Sequence, residues 1–293
     1  MYTRKKLERC LKNGKRIKIN SDSKIIMFSD THRGDNSLSD EFAHNQHLYR
    51  HALSYYYNEG YTYIELGDGD ELWEHKHFKH IRYAHSDAFM LLKKFYDDNR
   101  FEMIYGNHNM ELKHRKNVKK NLYQFKDEFT DTKQPLFPGI EVHESIVLDH
   151  EKSRDILLIH GHQGDFTNDQ MWLMNRFFMR YFWRFMHIVG FKNPASPAKN
   201  IHHRHKLEKR YSKWIKKMQQ IIIMGHTHRP KFANEGELPY FNTGTCVHPR
   251  NITGIEICDD EIQLVEWKIG VCEDGTLKIQ RRVIRGPRRL EDI

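Results

Sequence analysis

Five short clusters of acidic, amide and imidazole side chains punctuate this chain. They are Asp30-Thr31-His32, Gly67-Asp68, Gly106-Asn107-His108-Asn109, His160-Gly161-His162 and Gly225-His226-Thr227-His228. Each follows an apolar run that reads as a buried strand: Ile25 to Phe28, Tyr63 to Leu66, Phe101 to Tyr105, Ile156 to Ile159, and Ile221 to Met224. The donors are carboxylates, imidazoles and one amide, with no thiolate. Such a set suits Mn²⁺, Fe or Zn²⁺ more than a soft metal or a Cys-type zinc site. Asn107 is an uncommon ligand type but offers a neutral carbonyl oxygen, and His108 can give or take a proton near neutral pH. Residues i and i+2 of an extended strand point to the same side. Asp30 with His32, and His226 with His228, can therefore aim two donors into one site. A carboxylate such as Asp68 can bridge two ions, and two ions roughly 3.5–4 Å apart activate a water and clamp a phosphoryl group for in-line attack. Singly, Gly-Asp is a common turn and His-x-His a common strand end. The signal lies in the ordered set, each member after a strand.

The elements that must position these clusters can be read around them. Residues 1–23 are basic and polar and read as a helix or arm. Lys24 to Ser29 is the first expected strand, and Ser39 or Asp40 could cap a helix from about Glu41 to Asn58. Tyr61 to Leu66 is the second strand, Ser86 caps a helix through Tyr96, and the third strand ends at Asn107. Strand, helix, strand, helix, strand implies right-handed parallel crossovers, and the strand ends are where ligands bind in such sheets. Ile140 to Asp149 and Ile156 to Ile159 read as shorter strands. Thr243 to Thr245, Ile252 to Ile257, Ile262 to Ile269 and Thr276 to Val283 read as an antiparallel sheet. A two-sheet sandwich flanked by helices is expected, in an α/β class.

The chain has 293 residues, 38% hydrophobic and 30% charged, which predicts a globular protein rather than a disordered or membrane-spanning one. Its net charge of +9 suggests an acidic partner: nucleic acid, a phosphate ester or an anionic membrane. Cys10, Cys246, Cys258 and Cys272 form no C-x-x-C pair, which argues against a structural zinc site or disulfide scaffold and fits a reducing cytosol. No apolar run follows the basic start, so no signal peptide is expected. With 21 histidines in all, only those at strand ends carry weight. His75, His77, His80 and His85 are expected at the surface, and Asp70, Glu71 and Asp165 in supporting or solvated positions.

The five clusters, in this order over residues 24 to 245, resemble the calcineurin-like metallophosphoesterase superfamily. Its pattern is Asp-x-His, Gly-Asp, Gly-Asn-His, a strand-end His, then Gly-His-x-His. The resemblance implies a single domain over 1–293 with a four-layer α-β-β-α sandwich. It also implies two divalent ions and hydrolysis of a phosphate ester by a metal-bridging hydroxide. Carried over, Asp30, His32, Asp68 and His228 hold one ion, and Asp68, Asn107, His160 and His226 the other. His108 sits by the leaving-group oxygen, and His162 supports from behind the ligands. The family usually has Asp or Glu after the Gly-Asn-His histidine. This chain has Asn109, which can orient the imidazole but lends no charge.

Between the fourth and fifth clusters, residues 166–220 carry 12 Lys and Arg against 2 Asp and Glu, a net of +10, while the rest of the chain carries 36 against 37. Met171 to Phe191 has 15 apolar or aromatic residues out of 21, with Arg176, Arg180, Arg184 and His187 on one helical face. Arginine interrupts the run too often for it to span a bilayer. It fits instead a helix in a membrane interface or one lining an apolar cavity, a helical hairpin packed on the core, or a dimer contact. A second, basic helix over about Lys199 to Met218 follows. A helical insert here resembles the lid of the UDP-2,3-diacylglucosamine pyrophosphatases, which binds acyl chains beside a di-manganese site. That branch has Arg where this chain has His108. The expectations are thus a lipid-linked or bulky amphiphilic substrate gripped by Arg176, Arg180 and Arg184, and a cytoplasmic protein peripheral on the inner membrane face. The alternatives are a nucleotide or nucleic-acid phosphodiesterase, a general phosphatase, or a binding protein with a vestigial site.

Overall fold

The computed structural model describes residues 2–165, 169, 172–183, 186 and 201–293. Helix α1 (Tyr2–Asn13) leads into strand β1 (Lys15–Ile19), then β2 (Ile25–Phe28), α2 (Gln46–Asn58), β3 (Thr62–Leu66), α3 (Phe78–Ala84), α4 (Ser86–Asp97) and β4 (Phe101–Ile104). There follow α5 (Arg115–Leu122), the short pair β5 (Gln124–Lys126) and β6 (Lys133–Pro135), β7 (Val142–His143), β8 (Ser145–His150) and β9 (Ile156–Ile159). The remainder is α6 (Trp172–Phe178), α7 (Ile201–Met218), β10 (Ile221–Met224), β11 (Tyr240–Asn242), β12 (Asn251–Cys258), β13 (Glu261–Val271) and β14 (Leu277–Arg289).

Two sheets carry the fold. One has the order β14-β13-β12-β2-β3-β4-β7, the other β1-β8-β9-β10-β11. Strands β2, β3, β4 and β7 run parallel, as do β9, β10 and β11. The sequence alternates accordingly, because successive side chains leave opposite faces of a strand. Ile25 and Met27 of β2, Ile64 and Leu66 of β3, and Ile221 and Ile223 of β10 meet in one apolar cluster shared by both sheets. Ile26 and Phe28 pack instead with Leu53 and Tyr56 of α2 and Phe89 and Phe95 of α4. Ile222 and Met224 pack with Leu7 of α1 and Tyr211 and Ile215 of α7. Burial on both faces explains why these strands read as continuous apolar runs.

Several expectations shift. Residues 2–13 form the helix that the basic start allowed, and 15–19 add an edge strand that was not expected, with Leu7, Cys10 and Ile19 in the core. The helix expected from Glu41 begins at Gln46. Asp40 does not cap it: its carboxylate accepts the Phe42 and Asn36 N–H groups and pairs with His85. The true cap position is Asn45, whose amide is spent on the Cys246 and His248 carbonyls, 2.8 Å each. Ser86 opens α4 rather than capping it, and α3 lies just before it. Thr243 to Thr245 is not a strand, and β11 pairs parallel with β10. The antiparallel C-terminal strands extend the β2 sheet through β12 instead of standing apart. His75 and His85 are buried against Asp35 and Asp40, while His77 and His80 are exposed.

One buried ion network ties the first two cluster loops together. Arg33, three residues beyond Asp30, donates to both oxygens of Glu65 on β3 (2.7 and 2.9 Å) and to Asp70 (2.8 Å), all three residues being fully buried. Removing one member of such a set leaves the others as uncompensated buried charge. Arg33→Met should therefore cost about 3–5 kcal/mol. Urea unfolding of the variant checks this, and a loss below about 1 kcal/mol would show the network to be dispensable.

Candidate metal centre

The loops leaving β2, β3, β4, β9 and β10 converge. Asp30 N–H donates to Gly67 O at 3.1 Å, His32 N–H to Asp68 O at 2.9 Å, and Gly225 N–H to His160 O at 2.8 Å, so parallel pairing persists past the strand ends. Asp30, His32, Asp68, His226 and His228 all have φ between +48 and +67°, the left-handed region that side-chain-bearing residues seldom occupy. Such conformations cost of order 1–3 kcal/mol each and gather where the surrounding structure imposes them for use. Two glycines are forced by crowding. A Cβ on Gly106 would sit 2.1 Å from Asp68 Oδ1, and one on Gly225 would sit 2.5 Å from Asp30 Oδ2.

Six of the seven expected donors fall into two groups whose ligand atoms lie within 4.8 Å of one another: Asp30, His32 and His228; and Asp68, His160 and His226. His228 Nε2 is 3.1 Å from Asp30 Oδ1, and His32 Nε2 is 3.3 Å from His228 Nε2. His160 Nε2 is 3.0 Å from Asp68 Oδ2 and 3.2 Å from Asn107 Oδ1, which brings in the seventh donor. Asp68 stands between the groups, its Oδ2 3.8 Å from His32 Nε2. Burial alone would raise both carboxyls. The opposing influence of the imidazoles wins and holds both below the usual carboxylate range, through His228 and His160 for Asp30 and through His160 and His108 for Asp68. Burial alone would lower His160, and Asp68 and Asp30 raise it instead. Burial depresses His226 and, with His160 and His226 beside it, His162.

These residues fit divalent cations. Buried polar atoms normally find a hydrogen-bond partner. Yet His226 Nε2 makes none within the site, the nearest carboxylate oxygen, on Asp165, being 3.8 Å away. His162 is buried beside His160, with both ring nitrogens lacking partners among the described residues.

Glu71 is the residue that sequence reasoning placed too vaguely. It is buried, and its carboxylate reaches Nδ1 of His108 at 2.8 Å and Nδ1 of His32 at 2.8 Å. The Trp73 ring stacks on His108 with centroids 4.1 Å apart. Asn109 does not orient His108, because its side-chain oxygen accepts the Gly106 N–H at 2.6 Å and closes the turn. Only the adjacency of Asp70-Glu71 to the apolar Leu72-Trp73 hinted that a carboxylate there is buried. The insert also touches this corner. Arg176 donates to Glu111 at 3.1 Å and stacks on Trp172, and Arg180 donates to Leu72 O at 2.7 Å. Both guanidiniums are thus engaged by the protein itself, while Arg184 and His187 lie outside the described residues. Leu173, Met174, Phe177, Phe178, Tyr181 and Phe182 of the same segment are exposed.

The fold and site define a mixed α/β protein with a buried Asp/His cluster able to hold metal ions. No protein-family model matches the chain, and no curated protein does. Among solved structures it is similar to Vps29 of Chaetomium thermophilum (10% identity, TM-score 0.41, covering 90% of this chain and 96% of that one). It is also similar to a point mutant of a cold-active protein tyrosine phosphatase (11% identity, TM-score 0.39, covering 89% and 81%). A third is Vps29 complexed with Zn²⁺ from Entamoeba histolytica (16%, TM-score 0.35, 89% and 99%). At that distance the likenesses carry no statement about activity.

Glu71→Gln keeps the shape but weakens the acceptor. It should weaken Mn²⁺ binding, read by calorimetry, by ~10–100-fold with unchanged thermal unfolding. Wild-type affinity in this variant would remove Glu71 from the support of the metal centre.

Proposed function

We propose that the chain is a dinuclear-metal phosphoesterase, a single domain over residues 1–293 whose two sheets and outer helices, α7 among them, form a four-layer sandwich, with 172–183 of the 166–220 insertion as a lid. The observation that carries this reading is the convergence of Asp30, His32, Asp68, Asn107, His160, His226 and His228 from five strand ends, five of them in left-handed backbone. Two divalent ions bound there, Mn²⁺ in the first instance, supply Lewis-acid polarisation and lower the pKa of water. The chain's own residues do the rest. Asp68 lies between the two donor groups and so fixes their spacing. Glu71 accepts from His108 Nδ1, leaving His108 Nε2 as the nitrogen that faces a leaving-group oxygen. Trp73 holds the ring from behind.

On this reading the substrate is lipid-linked or otherwise bulky and amphiphilic, as for a UDP-diacylglucosamine pyrophosphatase. The exposed aromatic face of 173–182, anchored to the His108 corner through Arg176 and Arg180, supports that choice. Among the described residues no helix is long and apolar enough to cross a membrane, so any membrane contact is proposed as peripheral. The exposed cations of α7, among them Lys206, Lys209 and Lys216, favour a second reading, a phosphodiesterase on nucleotides or nucleic acid. Steep salt dependence of binding would distinguish it.

With Mn²⁺-loaded protein, bis-p-nitrophenyl phosphate should be hydrolysed. Asp68→Ala and Asn107→Ala should each lose more than the ~10–100-fold that outer partners of a metal site command, with circular dichroism unchanged. Wild-type turnover in either variant sinks the assignment of those donors. UMP release from UDP-2,3-diacylglucosamine should be rapid. Diester cleavage without UMP release would keep the chemistry and discard the acylated substrate.

A further inference from the structure

Behind the metal centre, where the first turn of α1 meets α7, lies a cavity of about 540 Å³, a size that takes one small ligand. Among its described lining residues four are cationic, Arg4, Arg210, Lys213 and Lys217, and none is a carboxylate. Arg210, Lys213 and Lys217 recur at i, i+3 and i+7 and so share one face of α7. None of these three has a hydrogen bond or ion pair among the described residues. Arg4 alone is partly neutralised, by Glu8 at 2.9 Å. The other nearby acid, Asp169, accepts from Tyr2 OH and pairs with Lys6. The cavity wall also contains Trp214, 3% exposed, whose indole N–H has no partner among the described residues. Three cations on one face, without a partner among the described residues, repel one another. A ligand with several anionic oxygens relieves that repulsion. Arginine's planar fork with lysine point charges is the combination that matches phosphoryl oxygens.

We infer that this cavity is a binding site for a phosphate-bearing ligand, separate from the metal centre. Its lining includes none of the seven metal-site donors, yet its walls hold the loop that carries one of them. Gly164 lines it, Thr3 Oγ1 donates to Gly164 O at 3.1 Å, and Tyr211 OH, next to Arg210, donates to Gln163 O at 2.9 Å, all within four residues of His160. The site stands independently of the phosphoesterase reading, because binding there needs neither metal nor turnover.

The test is a titration of metal-stripped protein with inorganic pyrophosphate, read by calorimetry. In parallel, the protein is co-sedimented with phosphatidylcholine vesicles with and without phosphatidic acid. Saturable pyrophosphate binding is expected, at least tenfold weaker in Lys213→Gln/Lys217→Gln and in Arg210→Gln alone. Binding should be unchanged in the charge-matched control Lys116→Gln/Lys119→Gln on α5, and circular dichroism should match in all. If only phosphatidic acid vesicles bind, with the same dependence on the three cavity cations, the phosphate is borne by a lipid headgroup. No binding to either probe, or an equal loss in the control, overturns the site.

Discussion

Two carboxylates, Asp30 and Asp68, are buried and form no ion pair with a lysine or arginine among the described residues, and the architecture around them answers that constraint. A buried ionised carboxylate is expensive unless it is paired or coordinates a metal. Here the pairing is supplied by His228, His160 and His32 and by backbone N–H groups: His226 N–H on Asp30 and His108 N–H on Asp68, each at 2.8 Å. Bringing those groups inward requires the chain to turn sharply as it leaves each strand. Left-handed residues and crowded glycines are the local consequence. The strain is carried by β2, β3, β4, β9 and β10, the strands that lead into the site and are buried on both faces.

A second set of charges fixes the loops that fix the site. Arg33, Glu65 and Asp70 are fully buried, and the Arg33 guanidinium lies over the Phe89 ring, 5.0 Å from its centroid. This network joins the loop after β2 to the loop after β3, so Asp30 and Asp68 cannot drift apart independently. One residue beyond Asp70, Glu71 turns the other way and takes both His32 and His108. Adjacent carboxylates thus serve opposite tasks, one structural and one at the site. The difference follows from which face of the turn each side chain leaves.

The segment between β9 and β10 follows different rules from the core. Arg176 and Arg180 fold back onto Glu111 and the Leu72 carbonyl, while Phe177, Phe178, Tyr181 and Phe182 are exposed. A soluble core helix would do the reverse. Contiguous exposed apolar surface of this kind marks a place where something binds. The basic helix α7 that follows is different again. Its apolar side packs Leu207, Tyr211, Trp214 and Ile215 against the second sheet, and its cations are left at the surface and around the cavity beside α1.

The sequence alone determined strands β2, β3, β4, β9 and β10 and the acidic, amide and imidazole residues that follow each of them. Apolar runs buried on both faces are unambiguous, and side chains of restricted type placed directly after them can point only out of the strand end. That is why Asp30, His32, Asp68, Asn107, His160, His226 and His228 were legible together. Tertiary structure decided what depends on contacts between residues far apart in the chain. The edge strand β1 was hidden in a basic arm because only one side of it is covered. The start of α2 was moved by an amide bonded to carbonyls 201 and 203 residues away. His75 and His85, polar in a polar stretch, were buried by aspartates from another loop. Glu71 gained its place at His108 and His32 because the loop after β3 folds back over them. Hydrophobic periodicity is a local property of the chain, whereas the partner of a buried polar group is not, and the sequence reading succeeds and fails along that line.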